Sequence, residues 1–67
     1  MISIVINGET RQLDNPLAFT QLIDHLGLGG KRIAIERNGE IVPRSEFAQR
    51  SVTDGDRLEI VVAVGGG

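Results

Sequence analysis

Three consecutive glycines, Gly65, Gly66 and Gly67, are the residues of this sequence whose type and position best fit a chemical role. Glycine has no side chain and adopts almost any φ and ψ, so three of them form a slender arm. Fully extended, such an arm reaches roughly 10 Å and could enter a narrow cleft on another protein. Capture of a C-terminal carboxylate is a known recognition mode. On composition alone, terminal padding fits these glycines equally well.

A carboxylate on Gly67 would need another protein to activate it. A free α-carboxyl group has a pKa of about 3.5, and the anion present at neutral pH is a poor electrophile. Joining it to a nucleotide phosphate gives a mixed anhydride that a sulfur, oxygen or amine nucleophile can attack. The chain has no cysteine and one histidine, His25, so it offers no thiolate nucleophile. We therefore expect no catalytic residue, no metal and no bound cofactor here, and ATP use by a partner enzyme.

The composition predicts one small globular domain. Hydrophobic residues make up 40% of the chain and charged residues 24%, with a net charge of −2. A domain of this size has one core and little room for a large cavity. Lys and Arg are scattered singly, and only Phe19 and Phe47 could stack on a base, so we expect no nucleic acid partner. No segment fits a membrane span or a secretion signal, so we expect a cytoplasmic protein without a membrane partner.

The N-terminal residues predict a β-hairpin. Ile2, Ile4 and Ile6 alternate with other residues, which is the period of a strand with one face on a core. Asn7-Gly8 follows directly, and this dipeptide favours a type I′ turn because both of its residues tolerate positive φ. We predict that the return strand covers Glu9–Leu13.

A helix is predicted after the hairpin, where apolar residues recur every three or four residues instead of every two. Asn15 and Pro16 fit an N-cap followed by proline in the first turn. The helical pattern runs from Leu17, and Gly27 suits a left-handed C-cap. The residues of the apolar stripe are Phe19, Leu22, Ile23 and Leu26.

Three more strands are predicted in the C-terminal half, with a second Asn-Gly hairpin at Asn38-Gly39. The strands are Ile33–Glu36, Ile41-Val42 and Leu58–Val64. The last is apolar on much of both faces, which fits a central strand or one with a docking face. We predict a turn or a single helical turn over Arg44–Arg50 and a tight turn at Asp54–Asp56. One helix covering one face of a mixed sheet buries both apolar patterns together. The predicted fold class is α+β, with a sheet of four to five strands over residues 1–64 and a flexible glycine tail over residues 65–67.

Three other motifs are better explained by ordinary structure. Gly27–Lys31 resembles a phosphate loop, but it follows a helix and lacks the first glycine and the final Ser or Thr, so we predict a plain loop. Asp54–Asp56 lacks the further ligands of a calcium loop. His25 has no second ligand or nucleophile near it in sequence, and we predict a solvated surface residue.

A docking face is predicted on the side of the sheet that points away from the helix. If the isoleucines of the first strand face the helix, then Val5, Val61 and Ala63 face solvent, and Val64 adjoins them. Exposed apolar surface usually marks a partner site. The alternative is that these residues only satisfy the strand preference for β-branched side chains.

The whole chain resembles the ubiquitin-like β-grasp carriers, and most closely the sulfur-carrier family of thiamine biosynthesis, the ThiS family. The likeness covers nearly all 67 residues. Its most specific parts are the opening strand closed by Asn7-Gly8, the segment NGEIVPR at residues 38–44 and the segment DGDRLEIVVAVGGG at residues 54–67. Family members end in Gly-Gly, here Gly66-Gly67, and Gly65 adds a third glycine that lengthens the arm.

This resemblance implies a reaction sequence and a set of partners. A ThiF-like adenylating enzyme would convert the Gly67 carboxylate to an acyl-adenylate, and a sulfur donor enzyme would then give a thiocarboxylate. A ThiG-like thiazole synthase would receive the sulfur. Two related hypotheses are that the chain is the small subunit of molybdopterin synthase or a ubiquitin-like modifier that attaches to lysines. A reading from another class is a β-grasp interaction module without covalent chemistry, because fold does not fix function.

Overall fold

A computed structural model describes residues 1–63, so Val64 and the three terminal glycines lie outside the described residues. The elements are β1 (Ile2–Ile6), β2 (Glu9–Leu13), α1 (Phe19–His25), β3 (Ile33–Arg37), β4 (Glu40–Val42), a short 3₁₀ helix (Arg44–Glu46) and β5 (Arg57–Val62). The five strands form one sheet in the order β2-β1-β5-β3-β4. Strand β5 runs parallel to β1 and antiparallel to β3. The last strand is therefore central in the sheet, which is one of the two explanations that its apolar residues on both faces allowed.

Both Asn-Gly pairs form the predicted tight turns. Asn7 has φ 50° and Gly8 has φ 85°, and Asn38 and Gly39 have φ 51° and 88°. Two residues link each pair of strands, since Ile6 pairs with Glu9 and Arg37 pairs with Glu40. Positive φ at both central residues defines the type I′ turn, whose twist matches that of the strands. The sequence signal was therefore sufficient to predict both hairpins.

The end of helix α1 agrees with the sequence prediction. Gly27 has φ 76° just after the helix. The N–H of Leu28 donates to the carbonyl of Ile23 at 2.9 Å, and the N–H of Gly27 donates to the carbonyl of Asp24 at 3.0 Å. These two bonds form a Schellman motif, which satisfies carbonyls that the helix leaves unpaired.

The start of helix α1 was predicted wrongly. The N-cap is Ala18, with φ −63° and ψ 155°, instead of Asn15. Residues 17–19 are extended because they pair with residues 50–52: the N–H of Val52 donates to the carbonyl of Leu17 at 2.8 Å, and the N–H of Phe19 donates to the carbonyl of Arg50 at 3.0 Å. The Gln21 side chain accepts from the N–H of Ala18 at 2.9 Å. Long-range pairing thus overrides the local N-cap signal.

The core lies between α1 and one face of the sheet. The apolar helix stripe is buried as predicted, except that Leu26 is half-buried. Phe19 of this stripe packs against Phe47, and the centroids of the two rings lie 6.1 Å apart. The most deeply buried core residues, each at most 2% exposed, are Ile4, Phe19, Leu22, Ile35, Val52 and Leu58. Strand β5 supplies Leu58 and Ile60 to this core, so the fold holds β5 firmly through its middle.

Asp56 is the buried charged residue among residues 1–63, with 4% exposure. Its carboxylate accepts from the N–H of Thr53 at 2.8 Å and forms an ion pair with Arg37 at 3.2 Å. The predicted turn at Asp54–Asp56 is confirmed. The ion pair was not predicted, because Arg37 and Asp56 lie far apart in sequence. Asp56 joins the β3–β4 hairpin to the beginning of β5, and its role is accounted for by structure.

Candidate functional site

Strand β5 leads directly to the residues in which the sequence places the chemistry. It ends at Val62, and the N–H of Ala63 donates to the carbonyl of Arg32 at 2.9 Å. The predicted modified residue Gly67, the arm residues Gly65 and Gly66, and the predicted docking residue Val64 lie outside the described residues. The structure therefore locates the base of this segment, at Ala63, beside the loop that precedes β3.

Two asparagine side chains hold β5 from the two Asn-Gly turns. The Asn7 carboxamide donates to the carbonyl of Ile60 at 3.0 Å and accepts from the N–H of Ile60 at 2.8 Å. At the other end of β5, the Asn38 side-chain oxygen accepts from the N–H of Arg57 at 2.9 Å. The sequence predicted the turns but not these contacts, because nothing local indicates which strand a turn residue will face.

The face of the sheet opposite the helix carries an exposed apolar patch, formed by Ala34, Ile41 and Val61 and called here the open-face patch. Ala34 pairs with Val61 across β3 and β5. Ile41 pairs with Glu36, two residues along β3 from Ala34. Val61 is 62% exposed and Ile41 is 66% exposed. The exposure of Val61 was predicted from the sequence. That of Ile41 was not, although the alternation of Ile41 with buried Val42 was a usable signal.

The other predicted docking residues divide between the two ends of the open face. Ala63 is exposed and follows Val61 by two residues. Val5 is half-buried and pairs with Thr10 and with Arg57, four residues along β5 from Val61. The expected continuous surface from Val5 to Val61 is therefore not formed, because the parallel register of β1 and β5 places Val5 near the beginning of β5.

A pair of carboxylates borders the open-face patch. Glu36 and Glu59 lie directly opposite each other on β3 and β5, and both are exposed. Within residues 1–63 the ion pairs are Arg37–Asp56 and Arg50–Glu46, so neither of these glutamates has a cationic partner there. The patch thus combines apolar side chains with unpaired negative charge, which would suit a partner surface that carries an apolar group beside a cation.

Motifs outside the open face lie in ordinary structural positions. Gly27–Lys31 is a loop, and its residues 29–31 line an open groove of about 400 Å³ together with Asp24 and Arg44. His25 is exposed at the last position of α1. Within residues 1–63, no three or more His, Cys, Asp or Glu side chains are grouped to hold a metal ion. In the same region, the structure has no helix with the length and apolar character needed to cross a membrane.

Comparison with known proteins agrees with this architecture. The model of the ThiS family matches residues 4–67. The crystal structure of a thiamine biosynthesis protein (ThiS) from Geobacter metallireducens has a TM-score of 0.83 and 30% identity, over 98% of this chain and 100% of that chain. The predicted β-grasp fold is therefore confirmed.

Two relatives differ in how much of their length this chain covers. A thiazole synthase from Paramagnetospirillum magneticum is 47% identical over 66 residues, which are 98% of this chain and 20% of the synthase. A protein from Porphyra purpurea called ycf40 is 41% identical over 66 residues, which are 98% of this chain and 93% of that protein. This chain thus spans about a fifth of the synthase and nearly all of ycf40.

The synthase relative, the family match and the solved structure together support a sulfur-carrier role in thiamine synthesis. The family match includes the glycines at residues 65–67 as well as the folded domain. By this match and by its fold, the chain belongs to the ThiS family.

Proposed function

We propose that this chain is a non-enzymatic sulfur carrier, in which Gly67 bears the sulfur as a C-terminal thiocarboxylate for thiazole formation. The observation that carries the proposal is that the ThiS family match continues through Gly67. The folded domain supplies a base for this residue, because β5 contributes Leu58 and Ile60 to the core and pairs with β3 as far as Val62.

The proposed chemistry has two steps, and partner enzymes perform both. In the first, a carboxylate oxygen of Gly67 attacks the α-phosphorus of ATP and displaces pyrophosphate, which leaves an acyl-adenylate. In the second, a sulfur nucleophile from the donor enzyme attacks the acyl carbon and AMP departs. With a persulfide as this nucleophile, the product is an acyl disulfide. A thiol then attacks the donor's sulfur, forms a disulfide with it, and releases the Gly67 thiocarboxylate with both electrons of the broken S–S bond. The role of this chain is to bring the carboxylate into a site that excludes bulk water, which glycines at the reacting end permit.

Three partners follow from this chemistry. An adenylating enzyme of the ThiF type consumes the ATP, a sulfur donor enzyme supplies the sulfur, and a thiazole synthase receives it. The thiazole synthase relative supports the last of these, because one polypeptide contains a segment similar to 98% of this chain together with further sequence. Since adenylation requires ATP, the proposed place of action is the cytoplasm.

The open face is the proposed contact surface for the adenylating enzyme. Val61 and Ala63 lie at the end of β5 that leads to Gly67, so a protein bound there would be close to the reacting residue. Ile41 and Ala34 extend the same apolar surface across β3 and β4. Val64 continues the sequence toward the glycines, and Val5 lies at the far end of the face as a secondary contact.

The direct test uses the purified adenylating enzyme and measures ATP–pyrophosphate exchange. Full-length protein is expected to support exchange. A variant without Gly66 and Gly67 is expected to retain its fold, by circular dichroism, and to abolish exchange. A matched control carries an amide in place of the Gly67 carboxylate: it keeps every residue and removes only the reacting oxygen, and it should also be inactive. Exchange supported by the truncated or amidated protein would refute the proposal.

A further inference from the structure

Strand β5 is supported unevenly along its length. On the β3 side, pairing continues from Leu58, opposite Arg37, to Val62, opposite Ile33. On the β1 side, strand pairing stops at Leu58, opposite Ile6, because the chain turns away at Asn7-Gly8. The part of β5 that leads to the C-terminal residues therefore has a strand on one side only.

The Asn7 side chain extends the β1 side of the ladder beyond the point where β1 ends. The backbone N–H of Asn7 donates to the carbonyl of Leu58 at 2.9 Å. Its carboxamide then contacts both backbone groups of Ile60, at 2.8 and 3.0 Å. A carboxamide carries an N–H donor and a carbonyl acceptor, as a peptide group does, so it can replace one in a ladder. Within residues 1–63, these two hydrogen bonds to Ile60 are the last ones on the β1 side of β5.

Asn38 provides a built-in comparison. It occupies the same position of the same turn type, with φ 51° against 50° for Asn7. It also contacts β5, but at Arg57, the first residue of the strand. The two asparagines therefore bind β5 at different points, Asn38 at its first residue and Asn7 at its fourth, and the Asn7 contact is the nearer to the end that leads to Gly67.

We propose that Asn7 is a positioning residue, which fixes the direction in which β5 delivers Gly67 to the adenylating enzyme. This inference rests on the proposed function. The Asn7 contact at Ile60 precedes Ala63 by three residues, so its loss would free the last part of β5 and widen the range of positions from which the C-terminal residues approach the enzyme. Misplacement of a reacting group by about 1 Å can reduce a rate as much as 100-fold. The open-face patch does not include Asn7, so docking affinity should change little.

The test compares Asn7→Gly with Asn38→Gly. Glycine accepts positive φ, so each variant keeps its turn and loses only the carboxamide contacts. For Asn7→Gly we expect kcat for adenylation to fall about tenfold while KM stays within about twofold. For Asn38→Gly, which also loses a 3.4 Å contact to Asp56, we expect both constants to stay within about twofold of those of the unmodified chain. Amide hydrogen exchange should accelerate at Ile60 in the first variant and at Arg57 in the second.

The results of this test separate failure of the positioning role from failure of the proposed function. Equal kcat values for the two glycine variants, or a raised KM with unchanged kcat for Asn7→Gly, would overturn the positioning role and leave the proposed function intact. Failure of the unmodified chain to be adenylated would overturn the proposed function itself. If Asn7→Gly does not fold, Asn7→Asp keeps the acceptor for the Ile60 N–H and loses the donor to the Ile60 carbonyl, and its kcat should also fall. An unchanged kcat in a folded Asn7→Asp would count against the inference.

Discussion

The two faces of the sheet are built from alternate residues of the same strands, yet they differ in what accounts for their apolar side chains. On the face against α1, Ile35 and Leu58 are 0% and 2% exposed. On the open face, Val61 and Ile41 are 62% and 66% exposed. Burial of the first set stabilises the fold, whereas the second set gains little from folding. Exposed apolar residues grouped in this way are typical of a surface that another protein covers.

The two faces also differ in whether their charged side chains have partners. Glu36 and Glu59 lie directly opposite each other on the open face, and like charges in such a position destabilise a sheet. On the helix side, the buried Asp56 carboxylate has Arg37 as its partner. The covered side thus satisfies its charge internally, while the open face retains a cost in stability that a cationic partner could offset.

The largest expected effect is a loss of stability, caused by a substitution that leaves a cavity in the core between α1 and the sheet. Leu22 is 0% exposed, so Leu22→Ala should lose about 2–5 kcal/mol of the free energy of unfolding. Because a domain of this size has only a few kcal/mol in total, the variant should be largely unfolded. Urea unfolding followed by circular dichroism measures this. Ile41→Ala is the control on the open face and should cost less than about 1 kcal/mol. Equal losses for the two variants would erase the distinction between the faces.

A charge in the open-face patch should affect binding instead of folding. We expect Val61→Asp to weaken affinity for the adenylating enzyme about tenfold or more, since it places an unpaired carboxylate in an apolar contact. The cost in stability should not exceed about 1 kcal/mol, because Val61 is exposed. Titration calorimetry with the enzyme gives the affinity.

Gln12→Asp is the matched control for Val61→Asp. Gln12 is exposed on edge strand β2 and pairs with Ser3, which alternates with buried Ile4. The substitution therefore adds the same charge to the same face of the sheet, but away from the open-face patch. Its affinity should match that of the unmodified chain. If Val61→Asp bound as tightly as Gln12→Asp, the open-face patch would not be the docking surface.

The smallest expected effect concerns the facing glutamates. Glu59→Gln should raise the free energy of unfolding by about 0.2–1 kcal/mol, because it removes one of two like charges. The gain should shrink at high salt, since exposed charges are screened. In a double-mutant cycle, adding Glu36→Gln should give little more, because a single substitution already removes the repulsion. A loss of stability in Glu59→Gln would show that the two carboxylates do not repel each other in the folded state.

Local sequence signals were enough to predict the parts of the fold that local conformation determines. Asn7-Gly8 and Asn38-Gly39 turn as expected because their positive φ is a property of those residues. Gly27 ends the helix for the same reason. The N-cap was misplaced because Leu17 pairs with Val52, and no short motif reports a contact between residues so distant in sequence.

The candidate site was predictable to a similar extent. Alternation along β5 was enough to place Val61 on an exposed face. It was not enough to place Val5, whose distance from Val61 depends on the register between β1 and β5, two strands at opposite ends of the chain. The Asn7 contact with Ile60 depends on the same register, which explains why it emerged only from the structure.

If Gly67 carries sulfur, the intact mass of the protein will reveal it without reliance on any activity assay. The chain is produced together with its adenylating enzyme and sulfur donor and is then measured by mass spectrometry, with fragmentation to locate any change. We expect a mass increase equal to the replacement of one oxygen by one sulfur, located at Gly67 and absent from the variant without Gly66 and Gly67. An unmodified mass under conditions in which both enzymes are active would contradict it and favour a non-covalent interaction module.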